Sequence, residues 1–208
     1  MIDKSLPEFP AAAFARQDNG DDLTFYAPPR LVTHIDEAAV AALSGRYREL
    51  LPSAGVILDL MSSWVSHLPA DRAYAEVVGH GMNERELAAN PRLDRWFVQD
   101  LNRDPLLPFE AGTFDAALCC VGVQYLQRPV EVFAEVRRTL RDGAPFLVSF
   151  SNRCFPTKAV AVWRALDAAG HAALVELYMN RAGFRTSTTE MLVDGRRGDP
   201  LTLVISRA

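Results

Sequence analysis

His34, Arg30, Tyr26 and the neighbours Gln124 and Tyr125 are the side chains best suited to move a proton or orient a small polar ligand. A histidine titrates nearest neutral pH, which makes His34 the natural base and Gln124 and Tyr125 the orienting groups. Arginine presents a planar fork that fits a carboxylate bidentately, and this is the chemistry open to Arg30. Tyr26, Arg30 and His34 share one stretch, running from Phe25 to Asp36, that is dense in groups able to stack, donate and titrate. A second concentration, Ser149 to Lys158, gathers hydroxyl, amide, guanidinium and aromatic groups, with Asn152 and Arg153 expected to contact substrate or to gate a cofactor. No metal is expected. The three cysteines, Cys119, Cys120 and Cys154, form no Cys-x-x-Cys pair and read as small buried apolar residues.

These stretches need elements to hold them. Gly55-Val56-Ile57-Leu58-Asp59-Leu60 reads as a strand buried on both faces of a parallel sheet, opening into a loop, Met61-Ser62-Ser63-Trp64, and then a helix. Ahead of it, apolar residues recur at helical spacing from Ile35 to Leu51, and Pro52 and Gly55 end that helix. Further strands are expected at Glu76 to Asn83, Arg95 to Asp100, Phe114 to Val121 and Pro145 to Phe150. Helices are expected at Glu84 to Asn90, Val130 to Arg141, Thr157 to Ala169 and Ala172 to Ala182. The turn-rich link from Asp194 to Pro200 joins two final β-rich runs, Phe184 to Val193 and Leu201 to Arg207, as a hairpin. Residues 1–33, with four of the thirteen prolines and the acidic patch Asp18-Asn19-Gly20-Asp21-Asp22, form an N-terminal arm, and residues 34–208 a single domain.

Five βα units closed by a hairpin resemble the class I S-adenosylmethionine-dependent methyltransferases, in particular their type 11 branch. The resemblance is most specific between Asp100 and Gly143: an acid ending the third strand, Leu107-Pro108-Phe109, Gly112-Thr113-Phe114-Asp115 opening the fourth, Gln124-Tyr125-Leu126, and a helix ending in Asp142-Gly143. It implies an α/β, three-layer Rossmann-like fold with a seven-stranded, mostly parallel sheet and an antiparallel terminal hairpin. It also implies S-adenosylmethionine as cofactor, S-adenosylhomocysteine as product and a small-molecule methyl acceptor. By the same resemblance Asp100 accepts from the adenine amino group, with Leu101 against the ring and Asn102 beside it, while Cys120 and Val121 line the methionine part. Asp59 faces the cofactor's ammonium group, and Arg30, Ser62 and Ser63 are candidates for its amino and carboxylate ends. Two departures stand out. The family's Gly-x-Gly-x-Gly positions fall on Met61, Ser63 and Val65, and its ribose-binding acid falls on Gly81, beside Met82, leaving Asn83 as the residue able to meet the two hydroxyls or to cap the next helix. Tyr26, in the arm, joins the acceptor side.

Composition bounds the alternatives. The chain has 208 residues, 49% apolar and 23% charged, with net charge −4 and scattered basic residues, so neither nucleic acid nor an anionic membrane finds a concentrated positive field. No run approaches the roughly 18 apolar residues of a membrane span, and a cytoplasmic monomer or homodimer is expected. A rival reading is a non-catalytic module that binds S-adenosylmethionine or another nucleotide as sensor or partner, favoured by the lost glycines. A nicotinamide-dependent oxidoreductase is disfavoured, because Gly-x-Gly-x-x-Gly does not follow the first strand.

Overall fold

In this computed structural model, which describes residues 6–208, seven strands form one sheet. They are β1 (Val56–Leu60), β2 (Glu76–Gly81), β3 (Arg95–Val98), β4 (Ala116–Cys120), β5 (Pro145–Phe150), β6 (Thr188–Val193) and β7 (Leu201–Arg207). Their order is β3-β2-β1-β4-β5-β7-β6; the first five are mutually parallel, and β7 runs antiparallel to both β5 and β6. Strand order therefore reverses between β1 and β4, the switch point where the carboxyl ends of two strands diverge and leave a crevice. Side chains alternate along each strand, so Leu58 and Leu60 of β1 enter one core while Ile57 and Asp59 point to the other.

Helices cover both faces. α2 (Glu37–Leu50) lays Ala39, Leu43 and Tyr47 on Ile57, Leu118 and Leu147, and Asp36 caps its start by accepting from the Ala39 amide. On the other face α4 (Pro129–Thr139) and α6 (Ala168–Arg181) bury Phe133, Val136, Tyr178 and Met179 against Phe146 and Val148. Pro129 opens α4 with a pre-set φ, and Arg137 and Arg138 sit at its negative end. Two short helices, α3 (Glu84–Ala89) and α5 (Ala161–Ala165), complete the layers. This is the expected three-layer α/β arrangement with its terminal hairpin.

Several elements differ from the expectation. No helix follows β1; residues 61–75 are irregular. Met61 takes a left-handed φ of 57°, the Ser62 and Ser66 hydroxyls turn back to Asp59, and the Ser62 amide donates to the His80 carbonyl, so local side-chain and cross-strand bonds replace a helical ladder. The helix expected over 157–169 is the five-residue α5, broken at Leu166 and restarted by Asp167, which caps α6 through the Gly170 amide. Strand four is also shorter than read: Phe114 forms only an isolated bridge with Leu140.

The arm contains a single turn of 3-10 helix at Ala11–Phe14 and the five-residue α1 (Asp22–Tyr26). It is clasped to the body by charge. Lys158, with no exposed surface, reaches Asp22 at 2.9 Å, Asp18 at 3.1 Å and the Gly20 carbonyl at 3.0 Å, and Arg16 pairs with the same Asp22 at 2.5 Å. Burial works against ionisation of Asp22, but the bonds from Arg16 and Lys158 more than offset it and hold the carboxyl below its ordinary value.

Candidate active site

Above the carboxyl ends of β1, β2 and β4 lies a cavity of about 490 Å³, within the range of roughly 300–1,000 Å³ usual for small-ligand sites. Its wall is built from the residues that follow each strand: Met61 to Ser63 after β1, Gly81 to Asn83 from the end of β2, Asp100 to Asn102 after β3, and Cys120 to Gly122 from the end of β4. The arm closes it with Tyr26, Arg30 and His34, and the loop after β5 with Arg153 to Phe155.

The β1 loop keeps a glycine-like path without glycine. Met61, which stands at the first glycine position of the resembled motif, takes a left-handed φ of 57°, and its amide donates to His80 Nδ1 at 3.1 Å. His80 Nε2 in turn lies 2.9 Å from the Gln99 carbonyl, so the ring is a neutral tautomer donating from Nε2, and burial pushes its pKa down to about 4. The loop sits so tightly on β2 that a Cβ at Gly81 would come within 2.5 Å of the Ser62 carbonyl oxygen and 3.0 Å of Leu87. That contact explains why the acid of the family pattern is missing here: the loop backbone fills the space the side chain would need. Val121, at the end of β4, is the stronger outlier, a β-branched residue at φ 45°, held by its own amide to the Ser149 carbonyl (2.8 Å) and by Gln124 Nε2 to its carbonyl (2.7 Å). Strain of this kind, on the order of 1–3 kcal/mol, collects at ligand sites.

Near the mouth, rings converge. Phe25, Tyr26, Tyr125 and His34 all pack against Phe155, with centroids 5.6–6.2 Å apart, and the Arg30 guanidinium lies over Phe25 at 4.7 Å and Phe155 at 5.2 Å. Arg30 also donates to the Phe25 carbonyl at 3.0 Å, and Tyr125 Oη accepts from the Phe155 amide at 2.8 Å. Burial lifts the Tyr125 phenol to about 12 and raises Tyr26 as well, so both are protonated donors at neutral pH. His34 is shifted down, chiefly by burial, with Glu86 opposing and Arg30 adding to the shift, and it is a neutral imidazole able to take a proton. Asp59 moves the other way: burial raises it to about 6, only partly countered by the Ser66 and Ser62 hydroxyls.

Most of the residues singled out in the sequence line this one cavity: Tyr26, Arg30, His34, Asp59, Met61, Ser62, Ser63, Gly81, Met82, Asn83, Asp100, Leu101, Asn102, Cys120, Val121, Tyr125 and Arg153. Gln124 and Asn152 do not. Gln124 is buried beneath the wall, its amide spent on the Val121 carbonyl, and Asn152 is exposed outside it. Contrary to the expectation, the structure thus makes Gln124 a brace on the backbone of the wall and puts Asn152 on the surface. Asn83 is fully engaged by backbone: Oδ1 accepts the Arg85 and Glu86 amides, and Nδ2 donates to the Tyr26 and Ala27 carbonyls, so it caps α3 and ties down the arm rather than facing a ligand. Asn102 is likewise structural at its amide, bonding the Tyr125 carbonyl (3.0 Å) and the Gln127 amide (2.7 Å). Asp100 caps its own turn through the Asn102 amide, and its Oδ2 lies 3.4 Å from Arg103.

Sequence reasoning missed Glu86, Ser66, His67, Tyr47 and Phe155. Glu86 accepts from the Ser63 hydroxyl and from the Arg30 amide, both at 2.6 Å. Its position three residues after Asn83 is a capping-box signal, but its carboxylate is used across the cavity wall instead. Tyr47 was visible only as an apolar position of α2. Among the described residues no group of His, Cys, Asp and Glu is arranged to hold a metal ion, and no helix is long and apolar enough to cross a membrane.

Comparison with known proteins agrees with this geometry. The family described as "Methyltransferase domain" matches residues 60–148. A segment of 109 residues is 27% identical to the biotin biosynthesis bifunctional protein BioHC of Teredinibacter turnerae, covering 50% of this chain but only 18% of that protein. Among solved structures, the putative methyltransferase in complex with the Haloferax volcanii Trm112 methyltransferase activator superposes with a TM-score of 0.61 at 13% identity, over 83% of this chain and 90% of that one. The [4+2]-cyclase SpnF gives 0.62 at 14% identity over 86% and 88%. An S-adenosylmethionine-dependent methyltransferase from Mesorhizobium loti gives 0.55 at 17% identity over 80% and 98%. At these identities the structures speak to fold.

Proposed function

We propose, from the match of residues 60–148 to the methyltransferase domain and from the class I methyltransferase-like sheet, that this chain transfers a methyl group from S-adenosylmethionine to a small-molecule acceptor. The observation that carries the reading is the convergence of the segments after β1, β2, β3 and β4 on one cavity of about 490 Å³ at the switch point. The lining supports the cofactor: the resemblance assigns Asp100 and Leu101 to the adenine, Cys120 and Val121 to the methionine part and Asp59 to the ammonium group, and all five line this cavity. When bound, the cofactor supplies an electrophilic methyl group on a sulfonium.

The chain's own residues position and desolvate. Tyr26, Tyr125 and Phe155 offer flat apolar faces and two protonated hydroxyls to an acceptor at the mouth. His34, neutral and on the same wall, takes the proton the acceptor releases as it is methylated. Support for a small acceptor comes from the arm and the β5 loop, which both line the cavity, and from Arg30 and Arg153, the basic residues of the wall, which are already stacked or paired. A second reading, binding without catalysis, draws support from the β1 loop, whose Met61 and Ser62 amides are both spent on His80. Calorimetric titration with S-adenosylmethionine and S-adenosylhomocysteine tests the cofactor site: micromolar binding weakened by Asp100→Ala is expected, and no binding at millimolar concentration would overturn it. A screen of small hydroxyl and amine acceptors for S-adenosylhomocysteine production then separates the two readings.

A further inference from the structure

Two arginines line the cavity, and the fold uses them differently. Arg153 is paired with Asp199 at 2.7 Å. The half-buried Arg30 guanidinium has no carboxylate partner among the described residues: nearby Glu86 accepts from the Arg30 backbone amide and from Ser63, and Asp22 is taken by Arg16 and Lys158. A guanidinium carries five N–H donors. Arg30 spends two of them, on the Phe25 carbonyl at 3.0 Å and the Pro28 carbonyl at 3.4 Å, so three remain. The group is backed from outside the cavity by Phe25, whose ring centre lies 4.7 Å from the guanidinium carbon, while Phe155 at 5.2 Å and Tyr26 at 5.8 Å belong to the cavity wall itself. Stacking of this kind occupies the faces of the fork and leaves its N–H edge to a ligand.

The position of this charge says which ligand it serves. The Arg30 amide is fixed by Glu86 of α3, but the side chain reaches across to the ring of Phe155 in the β5 loop, so the guanidinium stands among the rings of the mouth. A cation beside a cavity, with idle donors and no counter-ion, favours an anion, and its planar fork matches a carboxylate. The rings around it, Tyr26, Tyr125 and Phe155, with centres 6.0–6.2 Å apart, offer faces to a flat body. We propose that the methyl acceptor is a flat organic acid, its carboxylate held by Arg30 and its ring by Phe155 and Tyr26. This rests on the methyl-transfer reading above and adds the class of acceptor. The transfer itself is unchanged: the acceptor's hydroxyl oxygen or amine nitrogen gains the methyl carbon, the carbon–sulfur bond breaks to leave the thioether, and His34 holds the released proton.

The test titrates matched acids and amides, 4-hydroxybenzoate with 4-hydroxybenzamide and 4-hydroxycinnamate with 4-hydroxycinnamide, into the full chain saturated with S-adenosylhomocysteine, by calorimetry. In wild type the acid of each pair should bind about ten- to a hundredfold tighter than its amide, the range for hydrogen bonds to a charged group. Arg30→Gln keeps a donor for the Phe25 carbonyl but no charge, and Arg30→Met keeps only the apolar stem. Both should bring acid and amide to about equal affinity while S-adenosylhomocysteine binds as in wild type, which also reports that the variants fold. Amides binding wild type as tightly as acids, an acid preference that survives Arg30→Gln, or no binding by any of the four compounds would overturn the inference and leave the cofactor reading standing. Weakened S-adenosylhomocysteine in both variants, with 5′-methylthioadenosine unaffected, would give Arg30 to the cofactor and overturn it as well. Failure of S-adenosylhomocysteine to bind wild type would overturn the underlying reading.

Discussion

Gly81→Asp restores, on paper, the acid that the family places at the end of its second strand, and the structure predicts that it damages the protein instead. Any Cβ at this position lies 2.5 Å from the Ser62 carbonyl oxygen and 3.0 Å from Leu87. The leucine tip can rotate; the carbonyl cannot retreat without stretching the Ser62 amide bond to the His80 carbonyl (2.6 Å) and the Met61 amide bond to His80 Nδ1 (3.1 Å). Overpacking costs about 1–3 kcal/mol, and losing one or both loop hydrogen bonds adds about 1 kcal/mol each. The sum, about 2–5 kcal/mol, lowers the melting temperature by roughly 5–15 °C for a chain of this size. Gly81→Ala isolates the steric part and should reproduce most of the loss, with Gly81→Asp worse because the carboxylate is buried as well. Differential scanning calorimetry of the three proteins, with S-adenosylhomocysteine titrations alongside, is the assay. Wild-type stability in Gly81→Asp together with tighter nucleoside binding would refute the account of the loop.

Lys158→Met removes a buried cation that joins Asp22, Asp18 and the Gly20 carbonyl, while Arg16 continues to pair with Asp22. Breaking a buried ion pair costs about 3–5 kcal/mol when nothing else compensates, so about 2–4 kcal/mol is expected here. Trypsin cleavage at Arg16 and Arg30 should accelerate at least tenfold, and an unchanged digestion rate would show that the clasp does not hold the arm. Acid should destabilise the protein between pH 6.5 and 4. His67 and His80 are held near pKa 4, so the unfolded chain binds protons first and each contributes a loss of about 3 kcal/mol; Asp59, raised to about 6, gains about 3 kcal/mol of stability as pH falls from 6 to 3.8. The net loss of about 3 kcal/mol should appear in urea denaturation between pH 7 and pH 4, and a flat or rising profile would contradict it.

The central strands were legible because strands buried on both faces write themselves as contiguous apolar runs; Pro145–Phe150 and Leu201–Arg207 have the bounds their sequences indicate. Asp59, Asp100 and Cys120 could be placed in one site because parallel topology brings carboxyl strand ends together whatever the loops do. What the sequence concealed was non-local bonding. The segment after β1 looked like the start of a helix, yet Asp59 and His80 claim its hydroxyls and amides. Asn83 was balanced between ribose and cap until the arm's carbonyls took its remaining donors. Gln124 sits next to Tyr125 in sequence, but a three-residue 3-10 turn sends one side chain under the wall and the other into the cavity. Tyr47 kept its hydroxyl hidden inside an apolar helical repeat.

Glu86 carries one more consequence. Its two carboxylate oxygens hold different walls of the cavity, one bonded to the Arg30 amide in the arm and the other to the Ser63 hydroxyl in the β1 loop. The two walls therefore share a latch, and displacing either releases a charge-assisted bond to the other. A ligand that must part these walls to enter should show an association rate that levels off at high concentration, at the rate of latch opening, rather than rising in proportion.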